Sequence, residues 1–144
     1  MKRRSNIILP AIWTAVIFVL ATSFFGSRTT EPVISRILNE FLPQLANYAE
    51  YINYIIRKMA HVAVYSVLAA LWYRGLVLEG VRPLRAAEIA VLLSILCASG
   101  DELFQATQGR TSLPKDVLLD SLSAMLGVLV FRRAADAASR KTAP

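Results

Sequence analysis

The sequence predicts an all-α protein: a four-span transmembrane helical bundle with an interfacial amphipathic helix between spans one and two. Three observations carry this expectation. The 144-residue chain is 56% hydrophobic with a mean hydropathy of +0.49. Its first apolar run, IILPAIWTAVIFVLATSFF, contains no charge. Its lysines and arginines gather at the ends of apolar stretches. A single domain, residues 1–144, accounts for a chain of this length.

Span one is expected over residues 5–27, since at about 1.5 Å per residue the run covers a roughly 30 Å hydrocarbon core. The MKRR start resembles the basic head of a signal peptide. However, the apolar run exceeds the usual length of about 7–15 residues and no A-x-A-like cleavage site follows, so the span is expected to stay uncleaved. Residues 31–56 come next. Val33, Ile34, Ile37, Leu38, Phe41, Leu42 and Leu45 are spaced like one helix face, opposite Arg36, Asn39 and Glu40. Such a segment is expected along the membrane interface, with Pro43 kinking or ending it.

Residues 57–73, 86–104 and 116–131 supply the other three spans, and the tail at 138–144 is expected to be disordered. The single cysteine, Cys97, can form no intrachain disulfide and reads as a small buried apolar side chain.

Orientation follows from the basic residues. With the N-terminus in the cytoplasm, ten fall inside: Lys2, Arg3, Arg4, Arg74, Arg82, Arg85, Arg132, Arg133, Arg140 and Lys141. Six fall outside: Arg28, Arg36, Arg57, Lys58, Arg110 and Lys115. Both termini are therefore expected in the cytoplasm. The same distribution accounts for the net charge of +6 without nucleic acid, and no nucleic-acid partner is expected.

The candidate site lies in the charge that remains. Arg57, His61 and Tyr65 recur at i, i+4, i+8, with Lys58 one turn from His61, so they share a helix face. Asp101 and Glu102 each lie one turn from Gln105. Asp116 and Asp120 are i, i+4, and Ser123 and Gly127 continue their stripe with small side chains suited to close helix packing. Three helices thus present polar faces at one end, on the expected outer side. Ionisable groups at membrane depth are rare and are functional candidates.

Each residue has a plain role beside a chemical one. His61 can shuttle protons or orient helices by bonding an acid. Asp101 and Glu102 diverge by about 100° on a helix, so one is expected toward the bundle and one toward loop or solvent. Asp116 can complement its helix N-terminus or pair with Arg110. Asp120, a turn deeper, needs a partner, with His61 or Arg57 the candidates. Arg110 is the leading ligand residue, because a guanidinium clamps phosphate or carboxylate in bidentate fashion. No helix carries two metal ligands in an H-E-x-x-H-like pattern, so neither a metal nor a cofactor is expected.

These residues resemble the VanZ-like family over about 57–131. The match rests on K-x-x-H-x-x-x-Y at Lys58, His61 and Tyr65, and on D-E-x-x-Q at Asp101, Glu102 and Gln105. It continues in G-R-T-S-L at 109–113 and in D-x-x-x-N-x-x-G-x-x-x-G, matched by Asp116, Asp120 and Gly127. The chain departs in having Asp120 for the usual asparagine, Ser123 for glycine and Gln108 for proline. The resemblance implies a small multi-span protein of the bacterial cytoplasmic membrane, in a family named for a teicoplanin-resistance protein.

Three functions are then in view. One is recognition or modification of an anionic lipid-linked or cell-envelope component by Arg57, Lys58, Tyr65, Glu102, Gln105, Arg110 and Asp116. Another is an intramembrane hydrolase or transferase using His61 with Asp101 or Asp120. The third is a structural or accessory subunit. The expected partner is a membrane lipid or lipid-linked envelope precursor, and an oligomer is compatible with each.

Overall fold

A computed structural model of the chain describes residues 5–109 and 113–142. Among these, all regular structure is helical: α1 (Ile8–Leu20), α2 (Ser27–Phe41), α3 (Ala49–Leu78), α4 (Pro83–Thr107) and α5 (Pro114–Thr142). Short 3-10 turns at Ser23–Phe25 and Pro43–Tyr48 flank α2.

Three expectations about boundaries are corrected. Span one is not one straight helix, because α1 has 13 residues and measures only about 20 Å. The chain extends at Thr22 and Gly26, and α1 meets the helical stretch Ser23–Phe41 at a bend of 70°. In the segment 31–56, Pro43 ends the amphipathic helix, as its position predicts. That helix, α2, begins at Ser27 and stops before Pro43, and the remainder of the segment opens α3 at Ala49. Arg57 and Lys58 end an apolar run but not a helix, since both are good helix formers. The tail also continues as α5 to Thr142, its AADAASRK sequence being rich in helix formers.

The connections are written in the sequence. After α3, Gly80 takes φ +92°. Its N–H donates to the Val77 carbonyl, and the Val81 N–H to the Leu76 carbonyl, both at 3.0 Å. This is the Schellman stop, completed by Leu76 and Val81 packing on one apolar cluster. Pro83 then occupies the first turn of α4, where its missing N–H costs nothing. Pro114 opens α5 in the same way, and Gly109 after α4 has φ +68°. A Cβ at Gly80 would meet nothing within 4 Å. Gly80→Ala is therefore expected to cost about 1 kcal/mol, purely from the left-handed backbone, as a small drop in thermal unfolding temperature.

Among the described residues, α3, α4 and α5 run up, down, up. Consequently α3 and α5 are parallel, and they touch backbone to backbone. A Cβ on Gly127 would overlap the Ser66 carbonyl oxygen and lie 2.6 Å from the Ser66 Cα. The Ser66 hydroxyl donates to the Ser123 carbonyl at 2.9 Å. Small side chains fill the interior, among them Ala69, Ala86, Ala90, Ser94, Ala98 and Ala124, all fully buried. Large apolar side chains point outward: Ile8, Ile12 and Val19 on α1, Met59 and Val67 on α3, Leu92 and Leu96 on α4, and Leu122 and Leu129 on α5.

Helix α1 lies antiparallel along α3. The Asn6 backbone and side-chain N–H groups donate to the Glu79 carboxylate at 2.9 Å, and the Trp13 indole donates to the Val64 carbonyl at 3.0 Å. Ile17 packs with Tyr65, Leu68 and Ala98. Helix α2 docks on α3 through Thr30 to Asn53 at 2.9 Å and through Arg57 to Ser27. One continuous stretch, Pro43–Leu78, is long and apolar enough to cross a membrane, and the bent pair Ile8–Leu20 and Ser23–Phe41 qualifies when taken together.

Candidate functional site

The parallel contact of α3 and α5 puts their polar stripes in register. Moving outward from Ser66 and Gly127, the next pair is His61 with Asp120. The His61 Nδ1 lies 3.1 Å and 3.2 Å from the two carboxylate oxygens. One turn further out, Lys58 donates to Asp116 at 2.5 Å. The third helix meets this ladder from the side. The Tyr65 hydroxyl donates to Asp101 Oδ2 at 2.9 Å, and the His61 and Tyr65 rings lie nearly parallel with centroids 6.3 Å apart.

Burial here is deep. Asp120 is 0% exposed, Asp101 2% and Glu102 4%, and Gln105 is buried beside them. Asp101 and Glu102 are therefore not helix-end charges meeting water. They do diverge as expected: Asp101 faces the bundle, while Glu102 turns to the loop and accepts the Leu113 backbone N–H at 3.1 Å. That bond ties the end of α4 to the start of α5. Two carboxylate oxygens, Asp101 Oδ1 and Glu102 Oε1, are buried without a hydrogen-bond partner among the described residues, an arrangement that normally calls for a ligand or counter-charge.

Two cavities meet at this cluster. One, about 230 Å³, is walled by apolar side chains of α1, the turn after it and α3, including Ile17, Leu20, Phe25, Ile56 and Val64, and ends on His61, Tyr65, Asp101 and Gln105. The other, about 210 Å³, is polar, lined by Ser27, Glu31, Glu50, Asn53, Lys58 and Asp116. Arg57, His61 and Gln105 border both. The two cavities share a boundary, apolar on the α1 side and polar on the α2 and α5 side.

Most of the expected site residues are thus brought together: Arg57, Lys58, His61, Tyr65, Asp101, Gln105, Asp116 and Asp120. Asp120 takes His61 as partner and not Arg57, which bonds Ser27 instead. Asp116 pairs with Lys58. Arg110, the leading ligand candidate, lies outside the described residues. The cavity also uses residues that sequence reasoning passed over. Glu50, Asn53, Arg57 and His61 form one stripe on α3, visible in the spacing once the helix is allowed to begin before residue 57. Ser27 and Thr30 come from α2 and carry no such signal.

His61, Asp101 and Asp120 each offer a ligand atom, all within 4.8 Å of one another. No helix contributes more than one of them, which is why helical spacing did not reveal the set. A family model described as VanZ/LLP1 matches residues 7–135, nearly the whole described chain. Comparison with curated proteins and with solved structures gave no match in either case.

Proposed function

From the premise that the chain belongs to the VanZ/LLP1 family, we propose that it is a four-span membrane protein that recognises the head of an anionic, lipid-linked envelope component at its outer face. The stretch 5–27, which carries α1 and the turn after it, is the first span, and α3, α4 and α5 are the others. Both termini lie in the cytoplasm, and the rest of α2 lies at the interface. In favour of this are the large apolar side chains turned outward on all four helices and the small and polar ones turned in, the pattern of helices packing in lipid. The excess of lysine and arginine at the other end agrees with it.

The observation that carries the ligand class is the pair of cavities sharing Arg57, His61 and Gln105. An acyl or prenyl limb suits the apolar one, and a phosphate or carboxylate suits Arg57 at the junction. The teicoplanin-resistance role for which the family is named fits an action on envelope precursors, by analogy alone.

Titration of a polyprenyl phosphate into nanodisc-embedded protein tests this. Saturable binding is expected, with Arg57→Ala weakening it about tenfold or more, the worth of one charge-assisted hydrogen bond. Ala60→Trp, which fills the apolar cavity, should abolish it. Binding insensitive to both changes overturns the reading. Topology is checked on a Cys97→Ala background: an impermeant thiol reagent should label Gln108→Cys in intact cells and spare Gly80→Cys.

A second reading has its own support. Asp120 against His61 Nδ1 is the arrangement that orients a histidine as general base through its other nitrogen. Modification of the bound component in a hydrolase or transferase reaction would then follow recognition. His61→Gln should remove turnover while leaving polyprenyl phosphate binding and membrane abundance intact. Parallel loss of abundance and function would instead mark the cluster as structural.

A further inference from the structure

We propose that His61, Asp101 and Asp120 bind one divalent transition cation of the Zn2+ or Mn2+ class. The three residues come from α3, α4 and α5, and their ligand atoms lie within 4.8 Å of one another. One imidazole nitrogen and two carboxylates form a mixed donor set. The nitrogen favours Zn2+ or Mn2+ over Ca2+ and Mg2+, which prefer all-oxygen shells.

The geometry is close to a ligand shell. With metal–ligand bonds of about 2.0–2.2 Å, adjacent donors in tetrahedral or octahedral coordination sit roughly 2.9–3.4 Å apart. His61 Nδ1 and the Asp120 oxygens, at 3.1 Å and 3.2 Å, already have that separation. The Asp101 ligand atom lies within 4.8 Å of the other two.

A separate observation points to a ligand at this position. Asp101 is 2% exposed, yet its Oδ1 has no hydrogen-bond partner among the described residues, while Oδ2 is held by the Tyr65 hydroxyl at 2.9 Å. An outer hydrogen bond of this kind orients a ligating carboxylate. Charge gives the same answer. Among the described residues, two buried aspartates share one imidazole, while the Lys58 ammonium is engaged by Asp116 and the Arg57 guanidinium by Ser27. A dication neutralises the pair, whereas leaving a carboxylate uncompensated at this depth is costly. The apolar cavity reaches His61 and Asp101, so water or a ligand oxygen has a route to the remaining coordination positions. This site does not depend on the identity of the amphiphile.

Isothermal titration of the full chain in detergent with Zn2+ and with Mn2+, after chelation, tests it. One equivalent per chain of at least one cation is expected, with X-ray absorption showing mixed nitrogen and oxygen ligation. Asp101→Asn keeps an acceptor for Tyr65 and should weaken binding about a hundredfold or more, as should His61→Gln, while the exposed Glu88→Gln leaves it unchanged. Should neither cation bind the folded protein, the proposal fails. It fails equally if binding persists undiminished in Asp101→Asn and His61→Gln, which would place the cation elsewhere. Polyprenyl phosphate binding without cation binding would overturn this inference and leave the proposed function standing.

Discussion

Gly127→Ala is expected to be the most damaging single-methyl change in the chain. Its Cβ would overlap the Ser66 carbonyl oxygen and come within 2.7 Å of the carbonyl carbon. These are backbone atoms in the middle of α3, with no flexible side chain to yield. Helices α3 and α5 must separate, breaking the Ser66 to Ser123 bond and pulling the His61–Asp120 and Lys58–Asp116 pairs apart. Overpacking costs typically about 1–3 kcal/mol, and a rigid backbone clash places this change at or above the top of that range.

Two other glycines calibrate it. At Gly75 a Cβ would sit 2.6 Å from the Asn6 carbonyl oxygen, but that segment precedes α1 and can shift, so a smaller loss is expected. At Gly100 the nearest atom is on the Phe18 ring at 3.5 Å, an ordinary contact, and alanine should be tolerated. Thermal unfolding in detergent should order the three variants as Gly127, Gly75, Gly100. An alanine at 127 that matches the parent protein would mean that the close approach of α3 and α5 is wrong.

Asp120→Ala is the second large effect. The aspartate is fully buried and has His61 as its partner. Removing it leaves the largely buried His61 Nδ1 without its partner, at a cost of about 1–3 kcal/mol. Asp120→Asn should cost far less, since its amide keeps both an acceptor and a donor within reach of His61 Nδ1. The two variants therefore separate folding from chemistry. The asparagine is also the residue usual in the family. Loss of function with intact abundance in Asp120→Asn would show that the carboxylate charge has a role specific to this chain. A double-mutant cycle with His61→Ala should return a coupling well above 0.5 kcal/mol, as for contacting residues in one network. Additive effects would dissolve the pair.

Much of the site was legible in the chain because helical geometry converts spacing into direction. Lys58, His61 and Tyr65 share a face by 3.6-residue periodicity, as do Asp116, Asp120, Ser123 and Gly127. A small-residue stripe signals close packing, and Gly127 against Ser66 delivers it. Helix ends were less legible. Hydropathy falls at Arg57, but helix propensity does not, so α3 begins at Ala49 and carries Glu50 and Asn53 into the polar cavity. The break after Leu20 is marked only by Thr22, Ser23 and Gly26 within an uncharged stretch, and there the backbone turns.

By itself the sequence determined the all-helical class, the family, and which side chains form each polar stripe. These depend on local periodicity and composition, which act over a few turns. Only the tertiary structure decided which stripe faces which. The register between α3 and α5 pairs Asp120 with His61 and leaves Arg57 to Ser27. That register is set by backbone contact between residues about sixty apart, while α4 brings Asp101 and Gln105 in from the side.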